Sequence, residues 1–443
     1  MAQLKATYKE IIRISLPLIL GNTAWTAIGV FDTIFIGNYN KDLLGAIGIV
    51  SMVYSILFMI GFSYTRGTQL MIARSAGELN YKRVGDIFDN SVITLISLGL
   101  VLFLVMKFGT HYITSFLVND PVLQQACNQF LEVRAWGIFA SFICVSFIAF
   151  YSGIGETLIM FFSVLILSIL NIGLNYLLVF GKHGFPEMGI IGSAWASNIA
   201  EYFAVFILIG GTFYKKRIKT FFLFKFKNVS LALMKEMSLI SIPLVLQSFF
   251  GIGGWLFLFS DIEHVLGPEQ LGVSTILRQL YIFFSIPVWS LGSTTSTMVS
   301  NLVGQNNMAE IKDAVKKISI MSVVNVLLGC VALAIAPSFF IGLFTDDQSV
   351  IPLTLPLLKI IYVALVIMAV ANIFFNAVIS LGDIWIALGI EFVVIGIYIV
   401  YFKIILALPG ATTMMAWTSE LLYWILILVA SILFFRRRKV AIV

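Results

Sequence analysis

Apolar residues run along this chain in long, nearly uninterrupted stretches, separated by short polar breaks. The stretches fall at 12–38, 44–75, 91–118, 126–153, 158–180, 189–213, 236–261, 271–303, 317–344, 352–380, 384–407 and 412–435. Each is long enough to cross a bilayer core as a helix, which takes about 20 residues. The runs are continuous rather than short and alternating, which excludes a β-barrel. Twelve spans with short connections use up the chain and leave no room for a large soluble domain. The pattern predicts an all-α polytopic membrane protein.

Composition agrees with this pattern. The 443 residues are 60% hydrophobic and only 11% charged, against about 25% charged in a typical soluble domain. The net charge of +6 could suggest nucleic acid, but the basic residues are gathered in a few breaks, as topology demands. With the N-terminus placed inside, they fall in the tail (Lys5, Lys9, Arg13), the 2–3 loop (Arg74, Lys82, Arg83) and the 6–7 loop (Lys215, Lys216, Arg217, Lys219, Lys225, Lys227, Lys235). The 8–9 loop (Lys312, Lys316, Lys317) and the C-terminal tail (Arg436, Arg437, Arg438, Lys439) follow suit. The outer side keeps only Lys41, Lys107 and Lys182. Cytoplasmic loops carry the excess of Lys and Arg, so both termini are expected in the cytoplasm of a plasma-membrane protein, which requires an even span count. The first apolar stretch runs straight into the polytopic pattern, so no cleaved leader is expected. Cys127, Cys144 and Cys330 lie in or beside apolar segments, without metal-ligand spacing, and read as small buried apolar residues.

The two halves of the chain match at one offset, 227 residues. Gly45 maps to Gly272, Gly77 to Gly304, Asp86 to Asp313, and Gly155-Glu156 to Gly382-Asp383; Pro17 and Pro243 correspond with a one-residue shift. The expected organisation is an N-lobe over 1–219 with spans 1–6, a basic cytoplasmic linker over 220–235, and a C-lobe over 236–443 with spans 7–12. The Phe-dotted basic linker could lie on the inner leaflet as an amphipathic segment. Six spans per half give both halves the same orientation, as in transporters built from parallel repeats. Repeats also occur in channels, but there they usually surround a pore in an oligomer.

At this point the sequence resembles the multidrug and toxic compound extrusion (MATE) family. The resemblance is carried by the twofold six-span repeat, "ISLPLIL" leading into "VFDTIFIGN" in span 1, and the 2–3 and 8–9 loops "AGELNYKRVGD" and "VGQNNMAEIKD". "SGIGET" before span 5, and "LNIGLNYLLVFG" followed by "MGIIGSAWASN" across spans 5 and 6, complete it over nearly the whole chain. The resemblance implies a monomeric cation-coupled exporter, exchanging sodium or protons inward for a drug-like molecule outward, with no resident cofactor. Its partners would be a small organic substrate and the lipid bilayer, with no nucleic acid. In members with an N-lobe cation site, span 1 supplies an Asp, span 5 an Asn and usually an Asp four residues on, and span 6 a hydroxyl residue. The matching residues are Asp32, Asn171, Asn175 and Ser197. Asn175 thus replaces the span-5 Asp, which removes one formal charge from any sodium site and slightly favours protons. The branch that uses a span-7 Glu and a span-10 Asp finds Gly251 and Val370 here, so that C-lobe mechanism is expected to be absent.

The residues support this on their own chemistry. A carboxylate at mid-membrane is costly unless paired, hydrated or protonated, and so marks a functional site or a buried hydrogen bond. Asp32 lies deep in span 1. Asn171 and Asn175 are four apart and share a helix face, as do Ser197 and Glu201. Their oxygens suit a hard cation, or else join helices by hydrogen bonds. Glu201 could restore the charge lost at Asn175. Glu391 and Glu420 are C-lobe candidates, Glu420 standing nearly where Asn198 does in span 6. Arg278, alone within span 8, could meet an anionic substrate group, pair with Asp32 or Glu201, or snorkel to the outer interface. Arg134 and Lys359, near matching points of spans 4 and 10, read as interface anchors. Trp195, Trp255, Trp289, Tyr281 and Phe150 are candidate cavity aromatics. Pro17, Pro243 and Pro287 remove backbone donors inside helices and could serve bending or static packing.

Two other functions compete. A flippase for a lipid-linked precursor, in a related fold, would use Arg134, Arg278 and Lys359 on a pyrophosphate. A membrane-embedded enzyme lacks a catalytic cluster: His111, His183 and His264 all fall in predicted outer loops, and no phosphate loop is visible.

Overall fold

The computed structural model describes residues 3–40, 44–345 and 350–437. Lys41, Arg438 and Lys439 of the topology count lie outside the described residues. The described chain is helical, with no strand. With no water in the hydrocarbon, each spanning segment must satisfy its own backbone groups, and helices do so internally.

The first half comprises α1 (Tyr8–Tyr39), α2 (Leu44–Gly77), α3 (Tyr81–Leu117), α4 (Pro121–Arg134), α5 (Gly137–Gly153), α6 (Leu158–Phe180), α7 (Gly189–Tyr214) and the short α8 (Arg217–Phe221). The second comprises α9 (Leu231–Leu266), α10 (Pro268–Gly304), α11 (Met308–Ile335), α12 (Pro337–Gly342), α13 (Val350–Thr354), α14 (Leu358–Ser380), α15 (Ile384–Leu406) and α16 (Thr413–Arg437). Eleven described helical segments, with α13 and α14 joined into one, are long and apolar enough to cross a membrane, and the pair α4–α5 makes a twelfth if taken as one span. The expected continuous span 126–153 is therefore broken: α4 stops at Arg134, and α5 departs from it at 51°.

The internal repeat reappears in backbone conformation. Gly155 and Gly382 both take positive φ, 72° and 102°, a conformation that costs glycine least. Leu79 and Asn306 match in the same way, at 58° and 56°. The next residues, Asn80 and Asn307, cap α3 and α11 by accepting the backbone N–H of Arg83 and Glu310.

Two compact units result, one of Leu16–Ile242, the other of Gln3–Ser15 with everything from Pro243 onward. The division falls inside α1 and α9, next to the internal prolines Pro17 and Pro243. In the first unit, Phe88, Phe147 and Phe150 pack against Phe221 and Phe224, which lie at and after the end of α8. The Asp89 carboxylate accepts the backbone N–H groups of Phe224, Lys225 and Phe226 at 2.8, 2.9 and 2.9 Å. The linker is thus tied to α3. In the second unit the residues before α1 are held in a comparable way. The Asn301 side chain accepts the Leu4 N–H at 2.9 Å, Gln305 donates to the Leu4 carbonyl at 2.9 Å, and Lys317 donates to the Ala6 carbonyl at 2.8 Å. The core of this unit is built by α10, α14 and α16, around Leu277, Leu280, Ile361, Leu365, Met368 and Trp417.

Candidate functional site

Asp32 lies seven residues short of the end of α1 and is partly buried. Asn171 and Asn175 lie one turn apart on α6, and both are buried. The Asn175 amide donates to Asp32 Oδ1 at 2.8 Å and to Asn171 Oδ1 at 3.2 Å. The Asn171 amide in turn donates to Ser197 Oγ on α7 at 3.0 Å. Four of the sequence candidates therefore form one hydrogen-bonded chain across three helices. Asn175 Oδ1 is buried without a hydrogen-bond partner, an available oxygen beside one carboxylate. Among the described residues, no three His, Cys, Asp or Glu side chains gather into a metal-holding group.

Glu201 is not part of that chain. One turn beyond Ser197 on α7, it meets Arg134 at the end of α4. The two guanidinium nitrogens donate to the two carboxylate oxygens, one of them at 3.0 Å. Arg134 also donates to Asn198 Oδ1 at 2.6 Å, and the Ser141 hydroxyl donates to Glu201 Oε2 at 2.7 Å. Its guanidinium carbon stands 3.9 Å from the centre of the Tyr54 ring. Arg134 is therefore no interface anchor: it is 7% exposed and Glu201 4%. Two buried charges are tolerated because both terminal guanidinium nitrogens and both carboxylate oxygens are hydrogen-bonded. Gly137 makes the space: a Cβ there would stand 2.2 Å from both Arg134 Nη1 and Asn198 Oδ1. Arg134, Asn198, Ser141 and Tyr54 went unrecognised as a group, because the hydrogen bonds that join α4 and α5 to α7 span 60 residues and more and carry no spacing signal. The one available hint was that an intramembrane Glu201 demands a partner.

The remaining candidates fall elsewhere. Trp195, on α7, is 39% exposed. Phe150 is not a cavity residue but is fully buried in the aromatic core of the first unit. Tyr281, on α10, is buried, accepts the Trp424 indole N–H at 2.6 Å and belongs to the core of the second unit. Arg278, one turn before it, has its guanidinium 5.2 Å from the Phe259 ring centre and a buried Nε without a hydrogen-bond partner. Glu391 on α15 accepts the Tyr423 hydroxyl at 2.6 Å, and Glu420 on α16 accepts the Tyr398 hydroxyl at 3.0 Å; both carboxyl groups are buried.

Two repeated six-span halves, with polar chains buried inside membrane helices, define the class: a polytopic carrier of the parallel-repeat type. The family model MatE matches residues 17–177 and again 243–404, once per half. The chain belongs to the MATE family of membrane transporters. A probable multidrug resistance protein NorM of Thermotoga maritima is 24% identical over 362 residues, covering 80% of this chain and 75% of that one. One from Listeria monocytogenes is 25% identical over 354 residues, covering 78% and 75%. Among solved structures, the outward-facing conformation of a multidrug resistance MATE family transporter superposes with a TM-score of 0.90 at 16% identity, covering 99% of this chain and 96% of that one. A transporter from Pyrococcus furiosus, described as having a binding pocket of reversed polarity, gives 0.88 at 16% identity, covering 99% and 97%. These structures establish a shared fold.

Proposed function

We propose that this protein is a cation-coupled antiporter that exports small amphipathic organic compounds by alternating access, with Asp32 as the coupling carboxylate. The observation that carries the reading is the chain Asp32–Asn175–Asn171–Ser197: a carboxylate inside a membrane helix that accepts a hydrogen bond from the neutral amide of Asn175. Such a group is costly as a bare anion, and taking up a cation or a proton relieves that cost. These four side chains offer one formal negative charge, and the amide NH2 of Asn175 faces the carboxylate. This favours the proton over sodium. The multidrug names of the relatives support a drug-like substrate. The distribution of Lys and Arg supports a plasma-membrane protein with both termini in the cytoplasm.

The flippase reading loses support, because Arg134 is neutralised by Glu201 and is not available to a pyrophosphate. The experiment that tests the proposal is ethidium export from proteoliposomes under a proton gradient alone and a sodium gradient alone. Export under the proton gradient supports the reading. Export under neither gradient contradicts it.

A further inference from the structure

The second unit holds a carboxyl group for which the proposed mechanism has no use. Glu420 is 3% exposed, on a helix apolar enough to cross the membrane. It stands seven residues inside the start of α16, just as Asp32 stands seven residues inside the end of α1. At 1.5 Å per residue that is a depth of about 10 Å.

The charges around Glu420 contrast with those around Glu201. Glu201 has an arginine, whereas Glu420 accepts one hydrogen bond, from the Tyr398 hydroxyl to Oε1, and forms no ion pair among the described residues. The titratable groups facing it are Tyr398 of α15, Tyr281 of α10 and Tyr423 of its own helix, whose hydroxyl is donated to Glu391 of α15. The cations of neighbouring helices are engaged elsewhere or turned outward. Arg278 of α10 lies over Phe259, Lys403 of α15 pairs with Asp261 of α9 at 2.8 Å, and Lys359 of α14 is exposed. Tyr362 of α14 packs on the core at its half-buried surface. A carboxylate buried in a membrane helix, with phenols around it and no cation, is costly as an anion. A proton on Oε2 removes that charge while Oε1 keeps the Tyr398 bond.

We propose that Glu420 is a second proton-carrying carboxyl group, lodged in the C-lobe unit and loaded and unloaded during transport. The proposal deepens the coupled-exporter reading and rests on it for the transport step; the proton-binding step stands on Glu420 alone. The test uses the full chain in nanodiscs. Infrared difference spectra are recorded between pH 5 and 9 for the native protein and for Glu420→Gln, Glu420→Asp and Asp32→Asn. Glutamine keeps the size of the side chain and the Tyr398 bond, so the variant is expected to fold. Glu420→Gln is expected to remove one pH-dependent carboxyl C=O component that persists in Asp32→Asn, and Glu420→Asp to retain it with a displaced midpoint. In proteoliposomes, Glu420→Gln is expected to lower proton-gradient-driven ethidium export at least tenfold. A Glu420→Gln spectrum that superimposes on the native one overturns the proposal, as does native export by that variant. Loss of the component in Glu420→Gln, with Asp32→Asn exporting normally, supports proton binding at Glu420 and refutes only the role of Asp32.

Discussion

The chemistry of the first unit turns on how each buried charge is answered. Asp32 is met by an amide, Glu201 by a guanidinium. The proposed mechanism assigns charge exchange to Asp32 and leaves Glu201 locked in its ion pair. Breaking a buried pair by removing one partner costs about 3–5 kcal/mol, because the other charge is left stranded. Glu201→Gln should therefore lower the thermal unfolding temperature of the purified protein sharply, whereas the double variant Arg134→Met, Glu201→Leu should recover most of the loss. A Glu201→Gln protein as stable as the native one would show that Arg134 does not depend on the pair. Asn171 and Asn175 could be read from the sequence, because helical spacing places i and i+4 on one face. Arg134 could not. Read as part of a continuous span from 126 to 153, it falls near a membrane interface; in fact α4 ends there and the chain bends by 51°, which carries the side chain into the interior. Nothing local in "LEVRAWGIF" signals that bend.

At the scale of elements, the segments leading into α1 and α9 are fastened by side chains rather than left as loose connections. Asp89 accepts three consecutive backbone N–H groups of the linker. Hydrogen bonds to a charged group contribute roughly 1.5–3 kcal/mol each in isolation, and Asp89 is 4% exposed. Asp89→Ala should release Phe224–Phe226. Limited proteolysis should then cut between Arg217 and Lys227 at least tenfold faster than in the native protein, while an unchanged cutting rate would show that the aromatic packing alone holds the linker. Composition marks a basic connection between the halves. Its folding back through Phe221 and Phe224 onto Phe88 and Phe150 was not legible, because a Phe-dotted basic stretch is equally suited to lying on a lipid surface. The same ambiguity made Phe150 a cavity candidate: every wall of a membrane lobe is apolar, so hydrophobicity does not separate core from cavity.

For the whole molecule, two different signals gave the architecture. Long apolar runs gave the number of spans, and a single 227-residue offset gave the twofold repeat, which returns in the positive-φ pairs Gly155/Gly382 and Leu79/Asn306. Orientation rests on the basic loops. Single cysteines at Lys215 and Lys182, in an otherwise cysteine-free chain, should react with a membrane-impermeant maleimide from opposite sides of sealed cells. Lys182→Cys should label in intact cells and Lys215→Cys only after lysis. The reverse pattern would invert the topology.

The proposed role of Asp32 as the carrier of the coupling ion is open to one experiment, Asp32→Asn in proteoliposomes. The substitution leaves the carbonyl oxygen to accept the Asn175 amide and removes only the charge. Native protein should export ethidium when a proton gradient is imposed, and folded Asp32→Asn protein should lose that export at least a hundredfold. Native-level export by Asp32→Asn under the same gradient would contradict it.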